Sequence, residues 1–426
     1  MGSIAATTVA RVAVATLLVC FHLAVFTRAS HSRLALPFNS EPEAPYFSNP
    51  NAAALSDPRQ PTHWSRLAVS RFDAQHYIAT AVRGLSACPT TPNAPDSAYL
   101  DCGLGWLPAW GTIGGAVSRI TTLASDKALL ILAILAALAL NILWTSPTIV
   151  KRIGRGAAWG ALIGFNAFPS AFYLVTPHSE AATLALGLAG FIALANERWF
   201  LAAALVGAST ALQPSSMAFA LALAAALGVV AYLRRGQPNS WRPLLALPLC
   251  VWGQLVTLIG LQIFVGDWSA YLRARHAFGA TYQWGRLFDI PHYMKGLAGQ
   301  DMDGAMLFAT FGIIALTARE AMKRLKPAEA TYVIVASTMA IVLAVVTPMQ
   351  YWGQTRLLLT CMLAFFGLGV LARNYTYLFI PWCVLSLAFY WQVDVCDYVT
   401  QGNHATCPSL GHNELSLPLE TPASLR

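Results

Sequence analysis

KALLILAILAALALNILWTSPTI, residues 127–149, carries a single charge, Lys127, over a length that crosses a bilayer, and its reading decides the fold. A hydrocarbon core about 30 Å thick takes about 20 apolar residues as a helix. Inside lipid every backbone N–H and C=O needs a partner within its own segment, so such a run is a helix and not an isolated strand. Comparable runs lie on both sides: 7–27 before it, then 157–175, 178–195, 199–213, 215–233, 243–265, 304–320, 331–347, 355–372 and 375–391. They predict an all-α, polytopic membrane protein with about eleven transmembrane helices. The pieces between 178 and 213 are short enough to be tilted or partly inserted. Composition agrees: of 426 residues, 56% are hydrophobic and 11% charged, where soluble domains carry about 25% charged residues.

Charge in the short loops sets an orientation. Lys151, Arg152 and Arg155, then Arg198, then Arg234, Arg235 and Arg242, then Arg319, Lys323, Arg324 and Lys326, then Arg373 all fall on one side, which the positive-inside rule makes cytoplasmic. The formal net charge of +8 follows from this bias toward anionic lipid and gives no reason to invoke nucleic acid. The first run has the length of a full span and no small-x-small cleavage site, so it reads as a retained anchor and not a signal peptide.

The chain then divides into one membrane domain, 1–395, and an extracytoplasmic tail, 396–426. Two long extracytoplasmic loops interrupt the domain, 28–126 and 266–303. The stretch PFNSEPEAPYFSNPN (37–51) is extended loop, whereas 64–83 lacks Gly and Pro and has helical apolar spacing. On a helical wheel Val69, Asp73, His76, Tyr77 and Thr80 share one face and Leu67, Ala68, Ile78, Ala79 and Val82 the other. The expected helix lies at the interface, its apolar stripe in lipid and its polar face toward a cavity. LGWLPAWGTIGGAVSRI (104–120) suits a re-entrant or interfacial helix, since a further crossing would invert every later loop. Cys88, Cys102, Cys396 and Cys407 fall in the outer segments, where oxidation permits bridges Cys88–Cys102 and Cys396–Cys407, with four free thiols as the alternative.

Polar residues at outward helix ends are the candidates for chemistry, because polar groups at membrane depth are costly unless paired or turned to a cavity. In RFDAQHYIATAVRG (71–84), Asp73 has the acid needed for proton transfer, against the alternative of a solvated carboxylate. His76 has no HxxE or HxxxH partner, so no metal is expected. Glu180, closing PSAFYLVTPHSE (169–180), either caps a helix through the dipole or, with Ser179, meets a ligand. Gln213 to Ser216 interrupt an apolar stretch as a hairpin or a binding turn. GDWSAYLRARHAFGATYQWGR (266–286) brings Asp267, Arg273, Arg275, His276 and Arg286 among aromatic residues, either as interfacial anchors or as phosphate ligands. Arg356 in MQYWGQTRLLLT has no acid nearby in sequence; a lipid phosphate or snorkelling to headgroups would satisfy it.

Taken in order from about 66 to 370, these motifs resemble the GT-C superfamily of polytopic glycosyltransferases, most closely the GPI mannosyltransferase II family and its bacterial relatives. RFDAQHYIATAVRG is similar to that family's Arg-Trp-Asp-x-x-(His/Trp)-Tyr-x-x-Ile-Ala-x-x-Gly pattern, and GWLPAW to Phe-Phe-Pro-Leu-Tyr. PSAFYLVTPHSEAATLAL, ALVGASTALQPSS, GDWSAYLRARHAFG and GQTRLLLTCMLAFF resemble its later segments. The chain departs from the pattern at Phe72 (Trp), His178 (Tyr) and Gln213 (Arg). The resemblance implies inverting transfer of a hexose, usually mannose, from a polyprenyl- or dolichyl-phosphate donor to a glycolipid or other glycan acceptor. It carries catalysis to Asp73 and support to Arg71, Glu180 and Arg356. His76, Tyr77, Gln213, Arg273 and Arg275 complete the expected donor site. No cofactor is implied, and the setting is a bacterial inner membrane or the endoplasmic reticulum. Two rivals share the fold class: a transporter of lipid-linked sugars, for which repeats or paired broken helices would be expected, and a non-catalytic lipid-sugar binder.

Overall fold

The computed structural model describes residues 2–30, 73–90, 94–277, 283–289, 291, 302–346 and 353–391. Among the described residues all regular structure is helical. Fifteen helices carry the argument: α1 (Gly2–Ser30), α2 (Asp73–Arg83), α3 (Ala109–Thr121), α4 (Ser125–Trp144), α5 (Arg155–Ala167), α6 (Glu180–Ala195), α7 (Trp199–Ser209), α8 (Met217–Leu233), α9 (Trp252–Phe264), α10 (Ala270–Ala277), α11 (Met302–Met322), α12 (Pro327–Val346), α13 (Gly353–Leu358), α14 (Met362–Asn374) and α15 (Thr376–Phe389). Among the described residues six stretches are long and apolar enough to cross a membrane: Thr8–Phe26, Ser125–Trp144, Pro214–Leu233, Arg242–Phe264, Ala305–Met322 and Pro327–Val346. A seventh is added if α5 and the 3₁₀ turn Pro169–Val175 are one bent span. Helices α6, α7, α14 and α15 are apolar but shorter.

Two expected spans are broken and a third ends early. The run 157–175 bends by 86° after Ala167. Pro169 has no N–H to continue the ladder and pushes Phe168 into an extended conformation (φ −61°, ψ 137°). The run 127–149 stops at Trp144, where Ser146 caps the short helix Pro147–Ile153 by accepting from the Ile149 N–H at 3.4 Å. The run 355–372 is interrupted between α13 and α14. There the Leu363 N–H, freed by the break, donates to Ser337 Oγ at 2.9 Å.

Close packing follows the small residues. On α5, Gly160 and Gly164 face Gly369, Leu368 and Ala372 of α14 so tightly that a Cβ on Gly160 would strike Ala372. Helices without a water-driven hydrophobic force between them associate by such backbone approach. Trp144, Phe165, Phe365 and Phe366 interlock edge to face beside this seam. Helix α1 is tied into the bundle: Arg11 donates to Ile142 O (2.8 Å) and Thr145 Oγ1 (3.1 Å) at the end of α4. Further along α1, His22 meets Tyr390 OH (2.7 Å) and Asn166 Oδ1 (3.1 Å).

The basic loops meet at one end of the bundle. Arg152 pairs with Glu329 at 2.7 Å and also donates to Ala195 O at 3.3 Å, the last residue of α6. Glu197 pairs with Arg234 (2.8 Å) and Lys326 (3.0 Å). The Lys326 hydrogen bond is the main cause that holds the Glu197 carboxyl below its ordinary range, with Arg234 adding to it. Arg373 reaches back to Ile153 O at 3.3 Å.

Candidate functional site

The opposite end of α6 holds the other charged cluster. The chain leaves the bend through Thr176, Pro177, His178 and Ser179, and Glu180 opens α6 in its first turn. A carboxylate is favourable there against the helix dipole, and Glu180 does more than cap. It is buried, 2% exposed, and its Oε1 accepts from Arg356 Nε and from Gln213 Nε2, the latter at 3.2 Å. Arg356, 8% exposed, lies on α13, and its guanidinium sits 4.8 Å from the centre of the Tyr173 ring. The counter-ion that Arg356 lacks in its own neighbourhood is thus supplied from 176 residues away. Among the described partners of Arg356 is therefore a buried carboxylate.

Gln213 reaches Glu180 because α7 ends ahead of Pro214. The extended backbone of Gln213 (φ −152°, ψ 138°) is what a following proline demands, and Ser216 Oγ donates to its carbonyl at 2.5 Å. Three segments, around 180, 213 and 356, therefore converge on one carboxylate oxygen.

Helix α2 docks beside this cluster. Leu67 and Ala68 of the expected lipid-facing stripe lie outside the described residues; Val82 is exposed, but Ala74, His76, Tyr77, Ile78, Ala79, Thr80 and Ala81 are all buried. The reason is α3, whose Gly111 and Gly115 let it lie against α2. An added Cβ would stand 2.6 Å from Tyr77 O and 2.5 Å from Ala81 O. Tyr77 OH meets Ser179 Oγ at 3.1 Å, and Trp110 Nε1 donates to Pro177 O at 3.0 Å, so the α2–α3 pair is fastened to the turn before Glu180. His178 is held by Thr176 Oγ1 at 2.8 Å, with its ring edge-on to Tyr77 and Tyr173. One residue before Tyr77, His76 stacks on Trp106 with centroids 4.2 Å apart, and Arg275 lies 5.8 Å from that Trp106 ring. Asp73 is the first residue of α2, one turn before Tyr77. Its side chain, like Arg71 and the part of the 64–83 helix before Asp73, lies outside the described residues.

Arg273 has a different occupation from the one expected of a phosphate ligand. It donates to Asp96 Oδ1 (2.7 Å), Asp267 Oδ2 (3.2 Å), Tyr99 OH (3.4 Å) and Ala94 O, with its guanidinium 4.7 Å from the centre of the Tyr99 ring. His276 adds a contact to Asp96 at 3.3 Å. These bonds clamp α10 to a loop closed by a disulfide between Cys88 and Cys102. The Arg273 hydrogen bond is the main cause that holds the Asp96 carboxyl below its ordinary range. Cys396 and Cys407 lie outside the described residues.

Of the candidates, the structure brings Glu180, Gln213 and Arg356 into contact, joins Tyr77 to them through Ser179, gives His76 and Arg275 a common neighbour in Trp106, and commits Arg273 to the clamp. Tyr173 and Trp106 were not singled out from sequence. Their signal is an aromatic ring in each outward motif, which interface anchoring explains equally well. Among the described residues there is no group of three or more His, Cys, Asp or Glu able to hold a metal ion. No family model, no curated protein and no solved structure matches this chain.

Proposed function

We propose that the chain is a GT-C type glycosyltransferase that moves a hexose, mannose in the first instance, from a polyprenyl- or dolichyl-phosphate donor to an acceptor hydroxyl on the extracytoplasmic side, with inversion. The observation that carries this is the meeting of Glu180, Gln213 and Arg356 at the end of α6 opposite the basic loops. That chemistry combines a cation for phosphate with a carboxylate and an amide for sugar hydroxyls. Asp73, one turn before Tyr77 on α2, is the base toward the acceptor; Arg356 receives phosphate; Glu180 and His76 orient the sugar. Arg275 beside Trp106 is a second phosphate candidate, and Arg273 positions the loop that bears the disulfide. Counting the bent pair as one span and the four shorter apolar helices as tilted or partial crossings brings the total to about eleven. The membrane is a bacterial inner membrane or that of the endoplasmic reticulum, with the acceptor a glycolipid or other glycan.

The test is sugar transfer from a labelled polyprenyl-phosphate mannose to membrane glycolipids by the purified chain in nanodiscs. Asp73→Asn should lower the rate by roughly 10²–10⁴-fold while the protein elutes and melts as the wild type does. An undiminished rate in that variant removes Asp73 from the role of base. A second reading, a transporter of lipid-linked sugars, draws on the two interrupted helices, at 168 and between α13 and α14, because transporters place such breaks at their substrate sites. It differs in outcome: donor crosses a proteoliposome membrane with its sugar bond intact.

A further inference from the structure

The Arg356 guanidinium is held from two directions. Its Nε donates to Glu180 Oε1, and its face lies over Tyr173. The second contact does not depend on the first, because a cation stays attracted to the ring whichever anion it faces. Glu180 likewise has two donors on one oxygen, the charged Arg356 and the neutral Gln213 amide. Each member of the pair therefore keeps an anchor if the pair opens. Gln213 brings no charge, so in this contact set a single guanidinium faces the carboxylate, and a second anion arriving there competes with it.

We propose that Glu180 is a built-in stand-in for phosphate: a phosphate-bearing ligand binds Arg356 by displacing the Glu180 carboxylate, which stays with Gln213 and turns to the ligand's hydroxyls. The inference rests on Arg356 as the phosphate ligand of the proposed function and adds that the resting site is occupied by its own competitor. A guanidinium donates to carboxylate and phosphate with the same N–H groups and similar geometry, which makes the exchange direct. No covalent bond is made or broken in it.

The opposing signs of two substitutions test it. The full-length chain is reconstituted in neutral phosphatidylcholine nanodiscs and titrated with undecaprenyl phosphate, with inorganic phosphate and phosphatidylglycerol as separate arms. Competition between two ligands for one group has the size of a typical coupling, so Glu180→Gln should tighten undecaprenyl phosphate binding about tenfold or more. Gln213→Arg, which gives Glu180 a cation of its own, should move affinity the same way, and Arg356→Met should abolish the binding. A gain with inorganic phosphate as well makes the phosphate group sufficient; a gain with the lipid alone makes the isoprenoid chain part of recognition; either sustains the exchange. A gain shared by phosphatidylglycerol extends the exchange to lipid phosphodiesters and sustains it as well. Weaker or unchanged binding in Glu180→Gln overturns it, and if that variant does not fold, unchanged or weaker binding in Gln213→Arg does so alone. The probe carries no sugar, so the two readings fail separately. Transfer without these gains removes the exchange, and gains without transfer remove the glycosyltransferase.

Discussion

Helix α6 begins and ends at a buried Arg–Glu pair, and the two pairs are built differently. At Ala195 the pair is Arg152–Glu329, with 12% and 2% of the side chains exposed; at Glu180 it is Arg356–Glu180, with 8% and 2%. Burial and charge are alike, but the remaining bonds are not. Glu329 also accepts the Lys326 N–H through Oε2 at 3.0 Å, a carboxylate in the first turn of α12 reaching back to the residue that precedes it. Arg152 also donates to the terminal carbonyl of α6. Each partner at that end satisfies a backbone group that a helix terminus leaves open, so the pair is locked to three helices. At the Glu180 end the described partners are side chains: an amide, a guanidinium and an aromatic ring. Side chains can be exchanged for ligand atoms while the helices stay in place. The lesson is that burial of an ion pair does not by itself say what the pair is for; the commitments of its remaining atoms do.

The largest expected effect separates the two pairs by stability. Glu329→Gln leaves Arg152 as a partly buried cation and weakens a helix terminus, so it should destabilise by about 3–5 kcal/mol, the usual range for removing one partner of a buried pair. Glu180→Gln leaves Arg356 against the Tyr173 ring and disturbs no described backbone bond, so its loss should be clearly smaller. Unfolding of both variants in the same detergent checks this. Equal losses would erase the distinction between a structural and an exchangeable pair.

A smaller effect sharpens the comparison on the ligand side. Tyr173→Leu removes the ring under Arg356, a contact worth about 1 kcal/mol, or roughly a fivefold change in binding. With Glu180 displaced the ring is a remaining anchor of the guanidinium, so undecaprenyl phosphate affinity should fall by up to that factor, and Tyr173→Phe, which keeps the ring, should stay near the wild type. Equal losses in the two variants would locate the contribution in the Tyr173 hydroxyl instead of in the ring.

The two ends were unequally legible in the sequence. The basic end follows from Lys and Arg in short loops, because membrane orientation biases those residues one loop at a time. What the loops cannot show is which acids meet them, and Glu329 and Glu197 take their roles only once helices far apart in sequence pack together. The Glu180 end was legible as a set of motifs, not as a site. Glu180, Gln213 and Arg356 each stood out locally, yet the pairing of Glu180 with Arg356 spans 176 residues and leaves no periodic trace. Average hydropathy also hides breaks: 157–175 reads as one span although Pro169 is visible within it, since one proline hardly lowers the mean of an apolar window. The interruption before α14 has no proline to announce it. For α2 the wheel separates a polar from an apolar face, but packing buries residues of both, Tyr77 and Thr80 against Gly111 of α3 and Ile78 in the cluster with Trp106, Trp110 and Leu129.

The smallest expected effect concerns the clamp between Arg273 of α10 and Asp96. Asp96 is pulled below the ordinary aspartate range chiefly by its hydrogen bond from Arg273. A carboxyl whose folded value is depressed stabilises fully above its unfolded value, about 3.9, and loses that contribution as pH falls through the folded value. The Asp96–Arg273 bond should therefore be unaffected by Asp96 between neutrality and about pH 5 and should loosen only below the ordinary aspartate range. Asp96 and Arg273 are both partly solvent-exposed, so screening keeps the effect local. The Cys88–Cys102 disulfide keeps the loop closed in either state, which leaves the clamp to set its attachment to α10 and not its existence. Asp96→Asn at neutral pH should reproduce the acid behaviour, read as faster amide hydrogen exchange across 94–102 and 270–277 with the melting temperature of the bundle unchanged. If α2 also exchanges faster in that variant, the clamp and the Glu180 cluster are one cooperative unit; if it does not, the cluster is held by Tyr77, Trp110 and the α3 glycines alone.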